Sequence, residues 1–235
     1  MEKFLKKEYQ LAMLEPGTQF EYGCYTWTKL DDDIDGGTLV ISTEIVQHKT
    51  FDENNRNDWR FSSLRSWLND CKKSGDSVGF LKELIESDGV KLGDFLRITS
   101  DLTSDDGMKN YGQAEDTIAL LTCDLYRKYR DTIPPVDDWY WTLTSWTCNT
   151  SDSSNVRHVS TTGTLHSSSA YGGNLGVRPL CRLKSDILVS VDSDDDEIAE
   201  CSIIAEYFRE TSNEGLRNFI IEAAKELENR LKNSL

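Results

Sequence analysis

Two of the three histidines, His158 and His166, flank a turn at residues 161–163. If the flanking segments pair as a hairpin, the two imidazoles face each other, a spacing that suits two ligands of a transition metal. A metal site needs a third ligand, and the candidates near this turn are Asp152 and Cys148. Because no cluster of Cys and His residues supplies this third ligand, we expect two surface imidazoles on a polar face, with no metal and no cofactor.

The cysteines are scattered along the chain, and none has a CxxC spacing. Without an export signal we expect reduced thiols that act as small core residues. Cys148 would become a reactive thiol only if a cation such as Arg157 or His158 lowered its pKa. The carboxylates of Asp31–Asp33 and Asp194–Asp196 are charge runs typical of solvated turns, and no pair stands out as an acid–base couple. The chain is therefore not predicted to be an enzyme.

A long polar excursion at residues 144–175 is rich in Ser, Thr, Asn, Gly and Tyr. Binding loops use this composition because Tyr supplies contact area at low entropic cost, and Ser and Asn supply adaptable hydrogen bonds. A polar loop of this length is more often functional or disordered than an ordered connection without a role. We predict that it forms a ligand-binding face, whose contacting residues are Trp146, Asn149, Asp152, Asn155, Arg157, His158, His166, Ser168, Tyr171 and Asn174.

Both ends of this excursion are predicted to be scaffold. Trp139 and Trp141 lie two residues apart, so in a strand they point to the same side and indicate a buried face. At the other end Gly176 precedes Arg178 and Pro179. We expect Arg178 to anchor the loop to backbone carbonyls or an acidic partner, and Pro179 to fix the chain as it enters the next strand.

The net charge of −15 argues against a sequence-independent nucleic-acid binder, which needs Lys and Arg to displace counterions, and against an anionic membrane surface. The sequence has no window of about 18 apolar residues, and its first residues lack the apolar run of a signal peptide. We therefore expect a cytoplasmic protein, or one incorporated into a virion after synthesis there.

Local patterns predict mixed secondary structure in the first 191 residues. Residues 1–14 suggest a short amphipathic helix, and residues 18–46 a β-hairpin with a bulge at Gly23. Ser62 is placed to cap a helix over residues 62–68, and a second helix is predicted over 80–85. Short strands are expected around the polar excursion.

Residues 192–235 are predicted to form a separate helical appendage. An acidic connector leads to two helical segments, and the second has apolar residues at helical spacing. Such helices cannot bury an apolar stripe alone, so we expect a helical hairpin that packs on the first domain or joins subunits into a homo-oligomer. The stripe of the second helix consists of Leu216, Phe219, Ile220, Ala223, Leu227 and Leu231.

Several segments together resemble an uncharacterised domain family common in Firmicutes, their phages and prophages. They include PGTQFEYGCYTWTKL, GGTLVIST, WRFSSLRSWLND, IALLT, WYWTLTSW and GVRPLCRLKSDILVS. The resemblance spans residues 15–191 and ends in the Gly-Val-Arg-Pro motif. Typical members carry Arg in a Trp-Trp-Leu-Arg-Ser motif where this chain has Thr144, so any ion pair made by that Arg is missing.

The resemblance implies an α+β, C-type-lectin-like fold with small antiparallel sheets and short helices, similar to formylglycine-generating enzymes and retroelement-diversified proteins. In such folds the stretch before the closing motif contacts ligand. The expected function is non-catalytic recognition of a protein or glycan partner, in a virion or by capture of a host factor. The alternative is an enzyme of the formylglycine-generating type that uses a cysteine such as Cys148 or Cys181.

Overall fold

The fold of this protein is described from a computed structural model. It covers residues 7–32, 35–70, 73–74, 77–151, 153–172 and 174–191, together with Arg217 and Lys225. Within these residues the strands are β1 Lys7–Gln10, β2 Gln19–Tyr22, β3 Tyr25–Asp32, β4 Gly37–Ser42, β5 Gln47–Lys49, β6 Lys73–Ser74, β7 Ser77–Val78, β8 Phe95–Leu96, β9 Ile98–Asp101, β10 Gln113–Asp116, β11 Ile118–Ala119, β12 Tyr140–Ser145, β13 Asn155–Val159, β14 Leu165–Ser169, β15 Leu175–Val177, β16 Leu180–Lys184 and β17 Leu188–Val191.

The helices of the described residues are short. They are α1 Ser63–Asn69, α2 Phe80–Ile85 and α3 Cys123–Tyr129, with 3₁₀ turns at Leu11–Met13, Trp59–Phe61 and Leu92–Asp94. None of these helices is long and apolar enough to cross a membrane.

Two main sheets organise the described residues, and the pairs β9–β10 and β6–β7 form two further two-stranded sheets. The larger is an eight-stranded antiparallel sheet that curls into a half-barrel, with the order β1-β17-β2-β3-β4-β16-β11 and β8 also paired to β16. The smaller has five strands in the order β14-β13-β12-β15-β5, and its β12–β15 pair is parallel. A single hydrophobic core cluster contains side chains of both sheets, including Trp27 and Trp141.

The predicted α+β, C-type-lectin-like fold is wrong, because the described chain is mostly β. The physical reason is long-range pairing: short segments such as β5 and β8, which carry weak local signals, become strands by pairing with β15 and β16. The predicted C-terminal helical hairpin is not among the described elements, and residues 192–235 lie outside the described residues except for Arg217 and Lys225.

The helix predicted for residues 1–14 is also wrong in its described part, since Lys7–Gln10 is a strand that pairs with β17 and is followed by a 3₁₀ turn. The bulge predicted at Gly23 is instead the turn between β2 and β3, where Gly23 has a φ of 66° that favours glycine. In contrast, α1 and α2 confirm the predicted helices. Ser62 caps α1 by accepting a hydrogen bond from the Arg65 N–H at 3.1 Å.

Candidate binding site

The polar excursion after β12 is held in place by Asn57, a fully buried side chain that precedes the Trp59–Phe61 turn. Its amide nitrogen donates to the carbonyls of Thr147, at 2.8 Å, and Asn155, at 3.0 Å. Its amide oxygen accepts from the Tyr111 hydroxyl at 2.7 Å. Because all three bonds reach distant parts of the chain, Asn57 shapes the loop, although its sequence context shows only a polar loop residue.

Trp146 begins this loop and remains 40 % exposed. The Arg157 guanidinium, on β13, lies 4.7 Å from the centroid of its ring, a cation–π distance. Arg157 is in turn paired with the Asp105 carboxylate at 2.9 Å, and Asp105 also pairs with Arg127 at 3.3 Å. This chain of contacts fixes an exposed indole without covering it.

A cavity of about 530 Å³ adjoins this indole through Asp105. Its walls come from β9, the loop that follows β9, the start of α3 and Thr144 of β12. Thr144 accepts a hydrogen bond from the Cys123 N–H at 2.9 Å, and the Ser100 hydroxyl is buried with no hydrogen-bond partner among the described residues. The cavity is lined by Ile98, Thr99, Ser100, Asp101, Thr103, Ser104, Asp105, Gly107, Thr122, Cys123, Asp124, Leu125, Arg127, Lys128 and Thr144.

The carboxylates of this cleft are hydrogen-bonded or ion-paired, and its thiol is buried. Hydrogen bonds from the Thr103 hydroxyl and N–H keep the pKa of the Asp101 carboxyl below its usual value. Asp105 and Asp124 are both paired with Arg127. Burial raises the pKa of the Cys123 thiol, which disfavours the thiolate. The cleft therefore presents hydrogen-bonded and ion-paired carboxylates and a thiol held in its protonated form.

The two histidines do face each other, as the turn predicted, because His158 and His166 are directly opposite in the β13–β14 register. Their ring centroids are 6.0 Å apart. His158 is not the expected surface imidazole, since it is 1 % exposed. Burial, with smaller contributions from His166 and Arg157, lowers the pKa of His158 to about 4. Among the described residues no group of three His, Cys, Asp or Glu side chains is placed to hold a metal.

Trp139 explains the burial of His158 and corrects a prediction. It lies just before β12, is 42 % exposed rather than part of the core, and stacks on His158 at a centroid distance of 5.0 Å. Trp141 confirms the prediction of burial: it is 1 % exposed, and its indole N–H donates to the Lys49 carbonyl at 2.8 Å.

The other predicted contact residues do not form one face. Asn149 is exposed, Asn155 is half-buried, and Asp152 lies outside the described residues. Ser168, on β14, lies opposite Val156.

Tyr171 and Asn174 lie at the far end of the segment. Tyr171 is 62 % exposed, and its N–H donates to the Asn55 side chain. Asn174 lines a separate cavity of about 330 Å³ together with His48 and Trp67. The structure thus divides the predicted face into several local surfaces.

The closing motif is scaffold, as predicted. Arg178 is 1 % exposed and donates to the carbonyls of Ser42, Thr43 and Pro134 at 2.8–3.1 Å. Pro179, also buried, accepts a hydrogen bond from the Ser42 N–H through its carbonyl.

Gly176 lies between β12 and β5 in the smaller sheet. A Cβ atom there would approach Ile45 Cγ1 to 2.7 Å, so the Ile45 side chain must move before a larger residue fits.

The cysteines named in the enzyme alternative are buried. Cys181 has no exposed surface, and burial raises its pKa well above the usual value. Cys148 is 4 % exposed, and its sulfur lies 3.5 Å from the Ser104 hydroxyl. Arg157, which was considered as an activating cation for Cys148, is instead engaged with Asp105 and Trp146.

Comparison with known families places a domain of unknown function, DUF6273, at residues 74–185. The matched span contains every residue that lines the 530 Å³ cleft, as well as Trp146 and Arg157. No curated protein and no solved structure matches the chain.

Proposed function

We propose that this chain is a non-catalytic binding module that takes a protein or glycan partner on the surface formed by Trp146, Arg157 and the adjoining cleft. The observation that carries the proposal is the exposed indole of Trp146, held by Arg157, which is itself held by Asp105. An aromatic ring that is fixed before binding loses little entropy when a partner covers it. Exposed Trp and Arg side chains are also the residues most often found at the energetic centres of interfaces.

The surroundings favour recognition over catalysis. Thr and Ser side chains are among the residues that line the cleft, while its carboxylates are hydrogen-bonded or paired with Arg127. Ser100 adds a buried hydroxyl without a hydrogen-bond partner among the described residues. Polar groups converging on a concave site are what small ligands and protruding side chains require.

The biological setting remains a prediction. A phage or prophage origin, a virion or host-factor-capturing role, and synthesis in the cytoplasm rest on the resemblance and composition of the sequence. The formation of homo-oligomers belongs to the same group of predictions.

The proposal is tested by screening the purified chain on glycan and peptide arrays and measuring dissociation constants of the hits by calorimetry. Trp146→Ala is expected to weaken binding by about tenfold or more, because it removes the exposed anchor. Asp105→Asn is expected to weaken it less, because it loosens Arg157 without removing the ring. Leu188→Ala is the matched control, since Leu188 is also exposed, at 59 %, but lies on β17 in the other sheet.

Hits that bind the Trp146→Ala variant as tightly as the original chain would show that this surface is not the site. Circular dichroism and melting temperature of each variant separate lost contacts from lost folding.

A further inference from the structure

A second exposed aromatic surface lies beside β12, at Trp139. Its ring plane is within 17° of the His158 ring and within 5° of the His166 ring, at centroid distances of 5.0 and 6.1 Å. The two imidazoles are 6.0 Å apart, so together they support one indole. Because Trp139 is nevertheless 42 % exposed, the stack leaves much of the indole accessible to solvent.

The His158 imidazole that stacks on Trp139 costs folding free energy, because it is a buried polar group. His158 is 1 % exposed, and neither of its ring nitrogens has a hydrogen-bond partner among the described residues. A buried polar group without a partner costs about 1–3 kcal/mol. An apolar residue would fill this position without that cost. The two imidazoles stack on the indole, and its exposed 42 % is the part of this arrangement that a ligand can contact.

Polar groups lie next to this indole. Asp138 directly precedes Trp139 and pairs with His48 at 2.8 Å, and both side chains are about half exposed. On the side of β14, His166 Nε2 lies 2.9 Å from the Thr164 hydroxyl, which bonds to the Ser160 hydroxyl at 2.8 Å. The surface therefore combines one flat apolar ring with a carboxylate, imidazoles and hydroxyls around it.

We infer that the exposed indole of Trp139 is a binding site for a neutral carbohydrate, with a pyranose ring stacked on the indole. A pyranose with equatorial hydroxyls has ring faces made of C–H groups, which suit the negative face of an aromatic ring. Its hydroxyls point outward in the ring plane, where polar side chains close to the indole can bond to them; Asp138 precedes Trp139 in the chain, and Thr164 bonds to His166, which stacks on it. The single stacking face and the mixed donors and acceptors match this class of ligand.

Two other ligand classes that use aromatic stacking fit less well. Nucleic-acid bases come with phosphates, and a chain with a net charge of −15 repels them. Anionic ligands need a cation, yet the ring contacts of Trp139 among the described residues are to His158 and His166, and His158 is uncharged at neutral pH because its pKa is about 4.

This site is independent of the surface proposed above. Arg157, which holds Trp146, and His158, which supports Trp139, are adjacent on β13 and so point to opposite faces of the sheet. Failure at one surface therefore leaves the other untouched.

The test is calorimetric titration of the full chain with cellohexaose and chitohexaose, whose β-linked rings have equatorial hydroxyls. Trp139→Ala is expected to weaken binding by about tenfold or more, and Trp139→Phe by less, since a smaller ring keeps part of the stack. Leu188→Ala is the matched control, because Leu188 is exposed on β17 in the other sheet, and it is expected to bind the hexasaccharides as the original chain does. Saturation-transfer NMR on the sugar C–H protons reports contact with the protein directly.

Three results would overturn the inference: neither hexasaccharide binds, the Trp139→Ala variant binds as well as the original chain, or choline binds at this indole while the sugars do not. The last result would assign the site to quaternary ammonium ligands. Unchanged melting temperatures of the variants show that losses of binding come from the surface.

Discussion

His158 makes the stability of this protein depend on pH between about 4 and 6.5. Its folded-state pKa is about 4, below the ordinary value of about 6.5, because burial under Trp139 disfavours the imidazolium. Between these two values the unfolded chain binds a proton that the folded chain does not. Stability contributed by the neutral imidazole is therefore present above about pH 6.5 and is lost as the pH falls toward 4.

The size of the effect follows from linkage. Between about pH 7.5 and about pH 5, a shift from 6.5 to about 4 lowers the free energy of unfolding by about 2 kcal/mol. His158→Phe removes the titrating group and both unpartnered nitrogens while keeping a flat ring under Trp139. The variant is expected to be at least as stable as the original chain at about pH 7.5 and to lose about 2 kcal/mol less on acidification.

Urea denaturation at the two pH values, followed by Trp fluorescence, measures both free energies. His48→Gln is the control, because His48 is exposed and is not among the groups that shift the pKa of His158. If His158→Phe shows the same loss of stability with pH as the original chain, the imidazole is not buried as neutral and the stack under Trp139 is misassigned.

Two further predictions concern the scaffold. Arg178→Met is expected to lower the free energy of unfolding by about 3 kcal/mol, because it leaves the buried carbonyls of Ser42 and Thr43 without their charged donor. Urea denaturation measures this change, and a loss below about 1 kcal/mol would contradict the prediction. Gly176→Ala is expected to lower the free energy of unfolding by about 1–3 kcal/mol, because the added methyl overpacks against Ile45. Adding Ile45→Ala to the same chain is expected to recover part of that stability. Additive losses in a double-mutant cycle would show that the two side chains do not clash.

The sequence predicts helix starts and short-range contacts of this fold well, because these depend on residues that are close together in the chain. Ser62 before an apolar stripe predicts α1, and Gly79 before Phe80 agrees with the start of α2. The facing histidines and the anchoring role of Arg178 also follow from short segments. These features depend on residues close together in the chain, so one sequence contains the information needed.

The fold class could not be read in the same way. A three-residue strand such as Gln47–Lys49 has almost no periodicity, and it becomes a strand only because the distant β15 supplies its hydrogen bonds. The eight-stranded sheet likewise joins β1 to β17 and β4 to β16, pairs separated by most of the chain. Counting short helices and strands therefore suggested a mixed fold, whereas the long-range pairing builds a mostly β one.

The candidate site shows the same limit at the level of single side chains. Treating residues 144–175 as one face ignores strand alternation, which sends Arg157 and His158 to opposite sides of β13. Each side then acquires partners from outside the segment, Asp105 for Arg157 and Trp139 for His158. The result is two exposed indoles, each held by a different neighbouring side chain. Binding experiments should treat Trp139 and Trp146 as separate surfaces, with Leu188→Ala as the control for both.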